Sequence, residues 1–155
     1  MKLASYLLGG VLDVGLDEAS IEALFRKVTT DLKSSGVPLD VEAATSALIR
    51  REGLCSTGVG NGIAIPHATL EGLCSTHIAV ATLAEAMDFH SIDDKPVSVI
   101  FMLLGPPGKP DEHAGLLARI SRICSKQSFI SQILCAETSE DLRKLLLAED
   151  EKYVG

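Results

Sequence analysis

An α/β fold layered around one sheet is what this sequence predicts, on three observations. Apolar residues recur at helical spacing near both ends of the chain. Between them lie two runs of strand length, residues 77–84 ("HIAVATLA") and residues 97–104. The second run is apolar almost throughout, the pattern of a strand whose sheet is covered on both faces. Helices and strands alternate with no linker between them, so the 155 residues read as one domain, 1–155. A domain of that size buries roughly 70% of the surface its unfolded chain exposes.

The elements follow in order. Residues 11–16 ("VLDVGL") alternate weakly and predict a short strand. Ile21, Leu24, Phe25, Val28 and Leu32 then share one helical face, with Asp17 or Ser20 as cap and Gly36 as stop. A second helix runs from Asp40, with Val41, Ala44, Ala47 and Leu48 on one face, and ends near Gly53. A glycine loop follows, leading into a short strand over residues 63–67 ("IAIPH"). After the two long strands, the second stopped by Pro106 and Pro107, helices return. "DEHAGLLARISRICSK" takes Asp111 as its cap and turns Leu117, Ile120 and Cys124 inward. "SFISQILC" makes another short helix, and "TSEDLRKLLLAED" closes the chain with capping-box spacing from Thr138 to Asp141.

The first residues, "MKLASYLLGGVL", share a lysine and an apolar stretch with signal peptides. Gly9 and Gly10 interrupt that stretch, Asp13 and Asp17 follow at once, and no small-residue cleavage site appears. No run approaches the ~18 apolar residues of a membrane span. A cytoplasmic protein without membrane insertion is expected. The net charge of −7, with no basic run beyond Arg50-Arg51, excludes the basic stripe of a nucleic-acid binder and disfavours anionic membranes. It is compatible with a basic protein partner. Cys55, Cys74, Cys124 and Cys135 show no C-x-x-C pair and no metal-ligand rhythm. Two disulfides in an exported protein is one reading of them; four reduced thiols is the favoured one.

The stretch that carries chemistry is "STGVGNGIAIPHA", residues 56–68. A dinucleotide fingerprint needs strand, glycines, then helix, whereas here the order is helix, glycines, strand. "GPPGKP" is no phosphate loop, because Pro110 stands where Ser or Thr would bind magnesium. The four histidines form no H-x-x-x-H pair, and no serine sits in a G-x-S-x-G elbow. His67 stands out by its setting. Pro66 fixes the backbone before it, and the loop of Gly58, Gly60, Asn61 and Gly62 allows close approach of main-chain N–H groups to an anion. Arg51 offers a guanidinium fork for phosphate oxygens. A neutral imidazole is a nucleophile near neutral pH. These parts suit a histidine that takes and gives a phosphoryl group.

The segment "RREGLCSTGVGNGIAIPHATLEG" resembles the signature region of phosphotransferase-system EIIA domains of the mannitol/fructose class, within it most closely the free-standing nitrogen-type regulatory proteins. "FHSIDDKPVSVIFMLLGP" and "DEHAGLLARISRI" extend the resemblance over nearly the whole chain, most weakly before Leu39. The resemblance implies that His67 is phosphorylated by a phosphocarrier of the HPr type, and that His113 is the second active-site histidine. It makes Arg51 the active-site arginine, with Arg50 as its neighbour. It also implies a mixed sheet of about five strands between helical layers, and a reaction needing neither metal nor cofactor. His77 and His90 have no matching role and read as surface or structural. One departure is Ala68, where the family usually has glycine, followed by Thr69 in place of a common lysine; alanine closes off backbone angles that glycine permits. The implied partner downstream is an EIIB protein that phosphorylates a sugar, or a regulatory target that reads the phosphorylation state. The regulator is slightly favoured.

Overall fold

The computed structural model describes residues 2–153. Its sheet runs in the order β1-β5-β6-β3-β2, with β4 also paired to β6. β1 (Val11–Leu16) is parallel to β5 (His77–Met87), which is antiparallel to β6 (Val97–Gly105). On the other side of β6 lie β3 (Ile63–Ala64) and β4 (His67–Thr69), both parallel to it, and β2 (Gly58–Gly60) forms the edge. The six strands occupy five positions across the sheet, because β3 and β4 are two pieces of one track. The predicted single strand over residues 63–67 is thus split at Ile65-Pro66, where proline has no N–H for the ladder. β5 also runs to Met87, past the predicted end.

Helices cover both faces, as the two-sided apolar run of β6 demands. α2 (Ile21–Ser34) and α3 (Val41–Leu54) pack on one side through Leu24, Phe25, Val28, Ala44 and Leu48. They meet Ile100, Met102 and Leu104 of β6, with the small Ala79 and Ala81 of β5 admitting the helices closely. α1 (Ala4–Leu8), α4 (Pro110–Ile123), α5 (Gln127–Leu134) and α6 (Ser139–Glu151) cover the other side, against Val99, Phe101 and Leu103. Alternate residues of β6 therefore feed two separate cores, as a period of two requires.

Three helix starts follow local chemistry. Ser20 accepts from the Ala23 N–H at 3.1 Å, Asp40 from Glu42 at 3.0 Å, and Thr138 from Asp141 at 3.1 Å. The start of α4 corrects the expected cap: Lys109 is the cap residue and Asp111 lies inside the first turn. Pro110 causes the shift, since its ring presets the helical φ and it has no N–H to be satisfied. Leu116, Arg119 and Ile123 join Ile120 in facing inward, and Leu117 is only half-buried. No described cysteine is paired; Cys124 is buried and the other three are exposed. No helix among the described residues is long and apolar enough to cross a membrane.

Candidate functional site

The break at Pro66 sets up the central residue. Leu103 of β6 donates its N–H to the Pro66 carbonyl at 2.9 Å, and Ile65 donates to Thr57 at 3.0 Å. The Ile65 carbonyl faces the ring of His67, whose Nδ1 lies 2.8 Å away. A carbonyl only accepts, so Nδ1 carries the proton and Nε2 keeps a lone pair. His67 is half-buried at the first position of β4, opposite Leu103. Burial holds its imidazole below the usual range. The nearby charges of Arg51 and His113 push the same way, against the Ile65 hydrogen bond. The ring is therefore neutral at neutral pH, with a nucleophilic nitrogen fixed in place.

Two arginines and a second histidine share a cleft with it. A cleft of about 340 Å³ is lined by His67, Ala68 and Thr69 of β4, Arg50, Arg51 and Leu54 at the end of α3, and His113 of α4. Arg51 Nη1 donates to the Cys55 carbonyl at 2.8 Å, which holds the guanidinium at the helix terminus. Glu52 anchors the following turn by accepting from the Thr57 N–H at 2.8 Å and its hydroxyl at 2.6 Å. His113 rests on Gly105 at the end of β6: a Cβ added there would lie 2.6 Å from Thr76 Oγ1 and closer still to His113 Nε2.

The structure thus brings His67, Arg51 and His113 together, and adds Arg50. It does not bring the glycine residues with them. Gly58 and Gly60 form the edge strand β2, and Asn61-Gly62 is a two-residue hairpin turn with positive φ at both positions, 57° and 79°. The Gly58 N–H donates to Ser56 Oγ and the Asn61 N–H to Asp93 Oδ2, at 3.0 and 3.1 Å. Asn61 and Gly62 line a different cavity, of about 320 Å³. In the described fold these residues make a tight edge hairpin. Ala68 lies within β4 with no positive φ, so the conformation there does not require glycine. His77 is half-buried with its Nε2 3.3 Å from Ser75 Oγ, and His90 is exposed. Sequence reasoning missed Gly105, Thr76 and Glu112, which surround His113, because residues so far apart in the chain form no local pattern. A roomier cavity between α5 and α6, about 690 Å³, has no histidine or arginine in its lining. Among the described residues no cluster of three or more His, Cys, Asp or Glu is placed to hold a metal.

The fold and the sequence place the chain among phosphotransferase EIIA domains. Residues 11–149 match the family model "Phosphoenolpyruvate-dependent sugar phosphotransferase system, EIIA 2", and the chain belongs to that family. It is 37% identical to a fructose-specific EIIA component of Haloferax volcanii over 69% of this chain and 70% of that one. It is likewise 37% identical to a nitrogen regulatory protein of Pseudomonas aeruginosa, over 70% of each. Among solved structures it resembles the nitrogen regulatory protein IIA-Ntr of Neisseria meningitidis, with a TM-score of 0.83 and 29% identity. That match covers 93% of this chain and 98% of the other. The mannitol IIA of Escherichia coli shares the fold.

Proposed function

We propose that His67 accepts a phosphoryl group at Nε2 from an HPr-type phosphocarrier, and that the phosphorylated domain then passes the group on or signals by carrying it. The observation that carries this reading is the 2.8 Å contact from His67 Nδ1 to the Ile65 carbonyl, which leaves Nε2 as the free nucleophile. In the transfer, the Nε2 lone pair forms the new bond to phosphorus. The bond from phosphorus to the carrier breaks, and its electron pair leaves with the carrier. Nδ1 keeps its proton, and the Ile65 carbonyl supports the positive charge that the ring acquires. The transition state is loose, with charge on the three equatorial oxygens, so positioned cations supply most of the catalysis. Arg51, Arg50 and His113 are the side chains in this cleft that can do so. No metal or cofactor enters the scheme.

Leu54, 81% exposed, forms an apolar rim of the cleft suited to a protein surface that covers it. The reading makes residues 1–155 one cytoplasmic domain with two successive partners: the carrier, then a regulatory target. The IIA-Ntr likeness favours the regulatory role. The 37% identity to a fructose-specific EIIA supports a second reading, in which an EIIB protein takes the phosphate for sugar transport. A distant fold relative, the mannitol IIA of Escherichia coli, is known in complex with phosphorylated IIB. The test is incubation with phosphorylated carrier and assay for acid-labile, base-stable phosphate. The wild type should take up label and His67→Ala should not; uptake by His67→Ala at the wild-type rate overturns the assignment. Chasing the label with EIIB separates the two readings.

A further inference from the structure

Behind His113 runs a line of polar contacts that the phosphoryl-acceptor chemistry of His67 does not use. Thr76, buried in the turn before β5, has its hydroxyl against Glu112 Oε1 in a short hydrogen bond. The same hydroxyl lies 3.4 Å from His113 Nε2. Glu112 Oε2 accepts from the Tyr6 hydroxyl of α1 at 3.1 Å. The four residues come from three separate parts of the chain, and Gly105 leaves the room in which the His113 ring meets Thr76.

We propose that Tyr6, Glu112 and Thr76 form a positioning chain that fixes His113 as its Nε2–H tautomer and leaves Nδ1 as the ring nitrogen open to the phosphoryl group. The inference rests on the reading of the cleft as a phosphoryl-transfer site. A hydroxyl has one proton, and an ionised carboxylate only accepts, so Thr76 donates its proton to Glu112. What Thr76 then offers His113 is a lone pair, so Nε2 must be the donor. The direction depends on an ionised Glu112. Its carboxyl is held below the usual range, first by the Thr76 hydrogen bond and also by Tyr6, Lys109 and His113. Tyr6 donates to the second carboxylate oxygen and keeps the group from rotating. As the carrier brings the phosphoryl group into the cleft, its negative charge draws a proton from a buffer acid in solvent onto His113 Nδ1. That N–H donates to a phosphoryl oxygen during the transfer. Glu112, one hydroxyl away, stabilises the resulting imidazolium. Thr76, Glu112 and Tyr6 do not line the His67 cleft and act through His113.

The test reads the tautomer directly on uniformly ¹⁵N-labelled, unphosphorylated protein, from long-range ¹H–¹⁵N correlations of the imidazole rings at a pH where they are neutral. His113 should show a protonated Nε2 and a bare Nδ1; the opposite pattern overturns the proposal. In Thr76→Val both tautomers should appear, and Thr76→Ser should restore the single one. In Glu112→Leu the Thr76 proton is free to turn toward His113, so the ring should switch to Nδ1–H. Phosphoryl transfer to Thr76→Val should slow by about tenfold, the lower end of the loss seen when the partner behind a metal-bound histidine is removed. The KM for the carrier should not change. In a His113→Ala background, Thr76→Val should have no further effect; an added loss there would make Thr76 merely structural and sink the idea. If the wild type takes up no phosphate at all, the proposed function fails, while the tautomer measurement still decides the positioning chain.

Discussion

Gly105 decides where the His113 ring can sit. Its φ is not positive, so an alanine there meets no backbone strain, but it does meet the His113 ring and Thr76 Oγ1 inside contact distance. The cheap response is rotation of the imidazole away from the cleft, since a side chain yields before a strand does. Gly105→Ala should therefore keep the fold, measured by circular dichroism, and lose phosphoryl transfer by about a hundredfold or more, the scale of one lost transition-state donor. Wild-type transfer in that variant would show that the ring position does not matter. Arg51→Lys tests the guanidinium in the same way: charge stays, but the planar fork and the bond to the Cys55 carbonyl are lost, so transfer should slow. An unchanged rate would remove Arg51 from the mechanism. His67 fixes the pH dependence. Its imidazole titrates below 6.5, because burial and the neighbouring cations disfavour the charged ring. Only the neutral ring is a nucleophile, so the rate of phosphate uptake should fall with pH and reach half its maximum below pH 6.5. A half-maximal rate above pH 6.5 would contradict that ordering.

Among the elements, α1 and α6 depend on one another. The carboxylate of Asp150 in α6 accepts from the N–H groups of Leu3 and Ala4 at 2.9 and 3.2 Å, and from Arg119 Nε at 2.9 Å. Arg119 also donates to the Asp150 and Tyr153 carbonyls, at 2.6 and 2.9 Å. Both side chains are buried, so removing one partner strands the other. Asp150→Ala should cost about 3–5 kcal/mol, the range for breaking a buried pair, read from urea midpoints. A loss under about 1 kcal/mol, the ceiling for most surface pairs, would mean that the pair is solvated. The same contact explains why α1 is illegible in the sequence. Helices with their own caps, at Ser20, Asp40 and Thr138, announce themselves locally; α1 has Leu3 at its cap position and borrows its acceptor from the far end of the chain. The glycine run was legible as a turn but not as a hairpin, because pairing of β2 with β3 depends on β6 beside them. His67 and Arg51 were legible from their setting beside the glycine run and Pro66, whereas His113 came only through motif resemblance. The contacts of His113 were not legible, since Tyr6, Thr76 and Glu112 share no spacing.

β1 and α2 carry a separate pH effect. Asp13 is pushed up to about 7 by burial first, and then by the adjacent carboxyl of Asp31, with Lys27 opposing. Lys27 pairs with Asp31 at 3.2 Å. Relative to its unfolded value of 3.8, the folded state holds an extra proton between about pH 4 and 7. Stability should therefore fall as pH rises through that window, as the linkage of proton binding to folding requires. Asp13→Asn should flatten that part of the profile, followed by urea midpoints at successive pH values. An unchanged slope would assign the effect elsewhere.

At the scale of the whole molecule, the question is how phosphate on one histidine changes what the protein binds. The His67 cleft lies at one end of the sheet, between the end of α3 and the start of α4. The two cores on either side of β6 are closed and built from fully buried side chains. Nothing in that packing supplies a hinge, and a rigid domain is the default for a partner-binding surface. The phosphoryl group brings about −1.5 to −2 charges at neutral pH, partly offset by the positive charge on the His67 ring, onto a chain already at −7. Its field is screened beyond ~8 Å at physiological salt, so it acts on partners that cover the cleft and hardly on others. On the proposed function, carrier and downstream partner both need that face, because each must reach His67 or sense its charge. They should therefore compete, and phosphorylation should raise affinity for a basic partner or lower it for an acidic one without altering the fold. Backbone amide shifts of the free and phosphorylated protein, with target affinity measured for each, make the test. Shifts confined to the surroundings of His67, Arg51 and His113, together with altered affinity, are the expected result. Shifts reaching Leu142 and Leu146 of α6, on the far side of the second core, would show a global rearrangement and refute the local-charge account.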